Sequence, residues 1–473
     1  MKVPLILLLI GFSLIRVLGQ NSFEYTFDKY SSWCYSAFES GNYYYAMGIT
    51  SWEGTGKHAF ISRFTNGSDI ETKEIAKQDT SSLFYFGIPK SNGNILLIGK
   101  IFNLQNQYQQ LFSCEMTNNL EIVNETYYSI MPNGYHSLDM YDMVVDQDSN
   151  LILAGHFDSD TTDYSLVLVK INPSGELIGY NNLVSIWYSG YQWADLLIRK
   201  DGNGYYYFSG GSYSWVKIDS QFQFLSGGFF YPQQIGLPVT AKYLPDGSIA
   251  FVGQNDVGTS YYDIVLNILT DDLQWVYDTA IVEPGRQCPA IFKGMDYIDP
   301  ENIWIVAFND WIAPTGTEVY KFYIFDSEFN VKGSKYFGGD NEYTFTYLKA
   351  TSDGGCIVTG MIRREEGSTS RGAIIKKVMP EDILTGDDEK IFTDFKDVLV
   401  YPNPFNDKVY LKTDRNDLTF NLFNTLGQLV YQGIITDRIK NGIDIGNLKK
   451  GIYIYSITNR AGKAIDGGKM LKK

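Results

Sequence analysis

The stretch Asp148-Ser149-Asn150-Leu151-Ile152-Leu153-Ala154-Gly155 sets a polar turn before an apolar run that ends in glycine. The same arrangement runs from Ser40-Gly41-Asn42 to Gly48, from Asn92-Gly93-Asn94 to Gly99 and from Asp201-Gly202-Asn203 to Gly210. It returns from Asp246-Gly247-Ser248 to Gly253, from Pro300-Glu301-Asn302 to Ala307, where alanine replaces the glycine, and from Asp353-Gly354-Gly355 to Gly360. Successive ends lie 51, 56, 55, 43, 54 and 53 positions apart. The chain therefore repeats one unit of about 50 residues, seven times.

Each unit carries a second landmark, an alternating strand, a short polar turn and another strand. Leu166–Ile171, Asn172-Pro173-Ser174-Gly175 and Glu176–Tyr180 form one example; Ile264–Leu269, Thr270-Asp271-Asp272 and Leu273–Tyr277 form another. Four short strands per unit, joined by turn residues, predict β-propeller blades. The units resemble the degenerate propeller repeats of secreted bacterial proteins; neither a Trp-Asp dipeptide nor a Gly-Gly kelch pattern recurs. The expected fold is all-β, a seven-bladed β-propeller over 20–385 followed by a small β-sandwich. The last unit has little room for a fourth strand before the acidic Gly386-Asp387-Asp388-Glu389, and Phe23-Glu24-Tyr25-Thr26-Phe27 alternates as a strand. Pairing this N-terminal segment with the last blade would close the ring and remove two open edges.

Composition supports this reading. The 473 residues are 44% hydrophobic and 15% aromatic, with 45 Gly, a balance that suits strands and tight turns and excludes a disordered chain. A net charge of −15 argues against nucleic acid as a partner. Met1-Lys2, the apolar Val3–Leu14 and Val17-Leu18-Gly19 have the three-part form of a secretory signal peptide over 1–19. The run is too short for a membrane span, and no second run of spanning length follows. Cys34, Cys114, Cys288 and Cys356 are far apart, which argues against a zinc or redox motif and leaves both disulfides and buried thiols open.

From about Val398 the character of the chain changes. Val398-Leu399-Val400-Tyr401-Pro402-Asn403-Pro404-Phe405-Asn406 is followed by Leu422-Phe423-Asn424-Thr425-Leu426-Gly427-Gln428-Leu429-Val430, then Ile445-Gly446-Asn447-Leu448-Lys449-Lys450-Gly451-Ile452-Tyr453. The chain ends Lys469-Met470-Leu471-Lys472-Lys473. Order, spacing and terminal position together resemble the type A C-terminal sorting domain of the type IX (Por) secretion system of Bacteroidota, over 398–473 after a linker at 386–397. The resemblance implies recognition by the outer-membrane translocon and a sortase-like peptidase, with the protein extracellular or attached to the outer surface. The motif residues are Pro402, Asn403, Pro404, Phe405, Gly427, Gly451, Tyr453, Lys469, Lys472 and Lys473, and the basic tail is expected to be exposed. The two prolines require an extended segment at a sheet edge, and Thr425–Gln428 reads as a hairpin turn.

With the strands of a blade counted outward from the axis, the first-to-second and third-to-fourth turns are short and polar. Longer, dissimilar loops fall on the opposite face: Thr50–His58, Phe102–Gln109, Phe157–Ser165, Asn309–Glu318 and Arg363–Gly372. Variable loops on a rigid scaffold commonly carry binding. Trp52, Trp311, Trp187, Tyr188, Tyr191 and Trp193 on that face are the candidate contacts for an extracellular glycan or protein ligand, although large aromatics also fill the wedges between blades. Asp158, Asp160 and Asp163 share one loop whose oxygens suit Ca²⁺, but it lacks the glycine and distal glutamate of an EF-hand loop and an ordinary solvated acidic loop is the favoured account, so no metal is expected. No catalytic constellation is visible: His58, His136 and His156 lie outside any hydrolase or metalloprotease motif. The expected function is that of a non-catalytic, secreted propeller with a binding or adhesive face. The alternative is an extracellular polysaccharide hydrolase or lyase using axial carboxylates.

Overall fold

In a computed structural model the protein is described at residues 22–27, 31–52, 56–65, 70–106, 108–159, 165–184, 194–209, 214–229, 237–256, 262–281, 287–289, 293–309, 319–338, 341–363, 371–384, 399–401, 405–412, 418–425, 427–434, 442–458 and 464–473. The chain divides into two compact units, Met1–Asp387 and Asp388–Lys473.

The first unit contains seven antiparallel sheets among the described residues, six of them built only from consecutive strands. Their first strands are Trp33–Ser40, Thr80–Pro89, Tyr135–Val145, Ala194–Ile198, Leu237–Tyr243, the pair Gln287–Pro289 and Met295–Asp296, and Glu342–Ala350. We number the sheets 1 to 7 in that order. Sheet 7 supplies only three strands of its own; its fourth is Phe23–Phe27, which pairs antiparallel with Gly372–Val378 in the register Phe23 to Lys377 through Phe27 to Ala373. Phe23, Tyr25 and Phe27 also pack against Tyr44, Phe60 and Phe64 of sheet 1, so the N-terminal strand seals the seam between the last sheet and the first. The ring is closed as the sequence suggests. The fold is a β-propeller.

Each seam is fastened between first strands by at least one polar contact. The Ser36 hydroxyl donates to the Tyr85 carbonyl at 2.5 Å, and the Tyr85 hydroxyl donates to Asp139 at 2.6 Å. Asp142 accepts from the Leu196 amide at 2.8 Å, and Asp195 accepts from the Ala241 amide. Thr240 accepts from the Gly294 amide at 2.7 Å, Asp296 accepts from the Ala350 amide at 3.0 Å, and Thr346 donates to the Cys34 carbonyl at 3.4 Å. Backbone groups taken out of water between blades need partners, and polar side chains of the first strands provide them.

The repeated glycine now has a cause. The first strands of sheets 1, 2, 3 and 7 bulge at Tyr35, Tyr85, Tyr141 and Thr346, opposite Gly48, Gly99, Gly155 and Gly360. A Cβ on those glycines would lie 1.9–2.1 Å from the carbonyl oxygens of Trp33, Leu83, Asp139 and Thr344. Only glycine lets the bulged backbone approach this closely. In sheet 6 the first strand is split in two, and Ala307 takes the position. The second strands are buried on both faces, as in Ile95–Ile98 and Leu151–Ala154, so they read as continuous apolar runs.

After the last strand of sheet 7 the chain forms a short helix, Pro380–Leu384, with Ile383 buried. Cys34, Cys114 and Cys356 are buried free thiols. Burial pushes the Cys34 and Cys114 thiols up to about 12, which keeps them protonated and unreactive.

The second unit pairs a three-stranded sheet (Leu399–Tyr401, Lys408–Lys412, Ile443–Asp444) with a four-stranded one. The latter runs Leu429–Ile434, Thr419–Asn424, Gly451–Thr458, Ala464–Lys472 in spatial order. Val400, Phe405, Val409, Phe420, Leu422, Tyr455, Ile457 and Met470 fill its core.

Candidate functional site

Bulges aim side chains as well as bend strands. In sheets 1, 2 and 3 the bulged residue is a tyrosine, and Tyr35, Tyr85 and Tyr141 line one cavity of about 180 Å³ together with Trp33, Asp139 and Tyr347. Its walls come from the first strands of sheets 7, 1, 2 and 3, which places it at the centre of the ring. Trp33 stacks on Tyr35 at 5.3 Å between ring centres, and Tyr35 meets Tyr85 edge-on at 6.2 Å. Burial, reinforced by Asp139, pushes the Tyr35 and Tyr85 phenols far up, so both stay protonated and able to donate.

A second cleft of about 370 Å³ shares Tyr35 and Asp139 with the first and is lined by Lys57, Ser81, Lys100, Phe102 and Gln109. Phe102 lies near the end of a second strand, while Lys57 and Gln109 stand near the start of third strands. The cleft thus opens on the face of the second-to-third-strand loops, the face the sequence favours. At its base the Lys100 ammonium sits 2.5 Å from Asp139, whose side chain keeps 30% of its exposure. An aromatic floor beside a partly open ion pair can hold a ligand that offers both apolar faces and hydroxyls.

Deeper along the axis the carboxylates are committed. Asp142 and Asp195 are buried side by side. Burial first, then the neighbouring Asp142, drive the Asp195 carboxyl well above its usual range, while Lys293 and the Ala241 amide pull it back down. Lys293 crosses the ring to within 3.3 Å of Asp142; burial opposes its charge, but the two carboxyls prevail and keep it cationic. Asp296 is buried between Lys242 and Lys349, and although desolvation opposes ionisation, the two ammonium groups bring its pKa down to about 2. An Asp195→Asn substitution keeps an oxygen for the Ala241 amide while relieving the repulsion from Asp142, and should change stability at pH 7 by less than about 1 kcal/mol, measured by denaturant unfolding.

The sequence-derived contacts are placed unevenly. Trp52 lies on the strand Tyr43–Trp52, its backbone paired with Gly56, so within the expected loop Thr50–His58 residues 50–52 and 56–58 are paired strand. Strands likewise extend to Asn103 and Ser159 in the next two sheets, because alternating polar residues there continue the ladders. Trp187, Tyr188, Tyr191, Trp193 and Trp311 lie outside the described residues, as do Asp160 and Asp163. Asp158 is described, and its nearest partner is His156 rather than another acid. Tyr35, Lys100, Asp139 and His156 are the site residues that the reading of the sequence overlooks. Lys100 and His156 each follow the repeated glycine, a register where sheet 1 has Ile49 and sheet 7 has Met361. A charged or ring-nitrogen residue at a register that is apolar in those sheets was the available signal.

In the C-terminal unit, the turn before Leu429 has Gly427 at φ +75°, a conformation that favours glycine. The Tyr453 hydroxyl donates to the Lys449 carbonyl at 2.7 Å. The Phe405 amide donates to Leu471 at 2.8 Å, and the Lys473 amide returns a bond to Phe405 at 3.0 Å. Residues 399–470 match the family described as the secretion system C-terminal sorting domain.

This unit is a sorting domain. The protein is accordingly secreted or displayed at the cell surface. Among the described residues no helix is long and apolar enough to cross a membrane. One expectation for the sorting domain is corrected. Its basic tail is not a free appendage: Lys472 lies in the final strand with only 6% of its side chain exposed, donates to the Asn406 carbonyl and covers the Phe405 ring. Its long aliphatic stem is buried because it completes the sheet edge beside Phe405. Lys473 is exposed, and Pro402, Asn403 and Pro404 lie outside the described residues.

No curated protein matches the sequence. Among solved structures, a protein of unknown function from Bacteroides caccae is similar at 14% identity over 62% of this chain and 92% of its own, with a TM-score of 0.39. The β-propeller domain of the trilobed protease from Pyrococcus furiosus is similar at 8% identity over 76% and 99%, TM-score 0.41. The Hadza microbial sialidase Hz136 is similar at 10% identity over 74% and 66%, TM-score 0.41.

Proposed function

We propose that the propeller is a non-catalytic extracellular binding module, carried out of the cell by its sorting domain, whose central cleft on the loop face holds a glycan. The observation that carries this reading is the division of labour at the axis. Asp142, Asp195 and Asp296 accept backbone amides across the seams and face Lys293 and Lys242, so they serve the ring rather than a reacting bond. The groups left facing the cleft are Tyr35, Lys100 and Asp139 above an aromatic floor, suited to stacking a sugar face and bonding its hydroxyls. The sorting domain supports delivery by the outer-membrane translocon of the type IX system, and a sortase-like peptidase would then process the tail.

Retention on a panel of immobilised glycans tests the reading. The mature chain should retain a subset of glycans, and Tyr35→Ala should weaken retention at least about tenfold, in line with the loss of a well-packed aromatic contact. Retention that survives both Tyr35→Ala and Lys100→Ala would move binding away from this cleft.

A further inference from the structure

Sheet 3 brings together three side chains that the binding reading does not use as a group. His156 on the strand Leu151–Ser159 pairs in register with Asp139 on Tyr135–Val145, and Asp158 lies two residues beyond His156 on the same side of its strand. A carboxylate oxygen from Asp139, a ring nitrogen of His156 and a carboxylate oxygen from Asp158 all lie within 4.8 Å of one another. We propose that Asp139, His156 and Asp158 form a site for a divalent transition-metal cation of the Zn²⁺ or Mn²⁺ class at the edge of the central cleft.

Three features support the assignment. The first is spacing: a cation about 2.1 Å from each ligand sets its ligands roughly 3 to 4 Å apart, a separation this cluster reaches with small side-chain rotations. The second is the Asp158 carboxylate. Asp158 Oδ1 is buried and, among the described residues, accepts no hydrogen bond, although it lies 2.6 Å from His156 Nε2.

The third is the outer support. The imidazole is 2% exposed and stacked on Tyr141 at 4.9 Å. Tyr85 and Lys100 hold one oxygen of Asp139 at 2.6 and 2.5 Å. Ligands fixed by a second layer of bonds are what metal centres require.

One imidazole with two carboxylates also selects the metal. Ca²⁺ takes six to eight oxygen ligands, whereas a borderline nitrogen donor favours Zn²⁺ or Mn²⁺. Asp139 lines both cavities, so open coordination positions would face the cleft. The assignment stands apart from the glycan reading and is tested without a ligand.

The mature full-length chain, stripped with chelator, is titrated with ZnCl₂, MnCl₂ and CaCl₂ by calorimetry and competition with a chromogenic chelator. One Zn²⁺ or Mn²⁺ per chain is expected, in preference to Ca²⁺, together with a metal-dependent rise in melting temperature. His156→Gln and Asp158→Asn should each weaken the affinity at least about tenfold. Because His156 is buried and its replacement can harm folding, Asp158→Asn, at a residue with 27% of its side chain exposed, is the deciding variant. Its melting temperature without metal should match the parent while the metal-dependent rise is lost. Substoichiometric binding, preference for Ca²⁺, or undiminished binding by Asp158→Asn overturns the site.

Discussion

Replacing Asp296 by alanine should destabilise the propeller by about 3–5 kcal/mol, the usual cost of removing one partner from a buried charge cluster. The residue is 1% exposed and has three jobs. It accepts the Ala350 amide from the next sheet, the Lys242 ammonium, and the attraction of Lys349 at 3.1 Å. Alanine leaves an amide without its acceptor and two lysines repelling each other.

Asparagine is the sharper probe, because it can keep the amide contact while deleting the charge. The pH dependence has a definite sign. In the folded protein the Asp296 pKa is about 2, below the value of about 3.9 for an unfolded chain, so the native state binds fewer protons between these values. The stabilisation is complete above about pH 4 and is lost as the pH falls towards 2. The stability gap between parent and Asp296→Asn, from urea titrations at each pH, should therefore close over that interval. A gap that is constant from pH 5 to pH 2 would show that the charge contributes nothing.

Removing the N-terminal strand should have an effect of similar size. A mature chain that starts at Asp28 loses the ladder from Phe23–Phe27 to Gly372–Val378 and the aromatic contacts of Phe23 with Phe64 and Phe27 with Phe60. Three half-buried aromatic side chains and two ring pairs together contribute about 4 kcal/mol. The deletion also bares the outer edge of sheet 7, an invitation to edge-to-edge association. The truncated chain should unfold at a clearly lower urea concentration and elute in larger species on gel filtration. An unchanged midpoint with a monomeric profile would mean that the ring does not depend on this closure.

The architecture was open to reading because its dominant signals are local. Polar turns before doubly buried second strands give the repeat, and the alternation of Phe23–Phe27 gives the closing strand. The recurring glycine was visible as a pattern but not as a cause. That cause is the bulge in the neighbouring strand, a feature of pairing that no single strand reveals. The seam acceptors Asp142, Asp195, Thr240 and Asp296 were hidden for a related reason. Their partners lie 46 to 54 residues away in the next unit. Surface acids and seam acids look alike until the ring is assembled.

The cleft was the least legible part. Reading loops for exposed aromatics pointed to tryptophans such as Trp52, whereas the aromatic floor comes from bulged strand residues, Tyr35, Tyr85 and Tyr141. A tyrosine in a strand reads as core packing, and only the bulge turns it towards the axis. Likewise Asp158 was grouped with acids close in sequence, while the fold sets it against His156 and Asp139 from the paired strand. For the sorting domain the motif spacing sufficed, but the burial of Lys472 depends on the clasp between Phe405 and the final strand.

The most direct test of the central claim, that the cleft binds without turnover, is a mass balance on a retained glycan. The mature protein is incubated with that glycan for many hours, with and without added Zn²⁺ or Mn²⁺, and the free and bound material is recovered and sized by mass spectrometry. Full recovery of intact glycan, with no new reducing ends or unsaturated products, is the result expected of a binding module. Products that accumulate with protein and time, and that disappear on Asp139→Asn, would contradict it and make the cleft the site of a hydrolase or lyase.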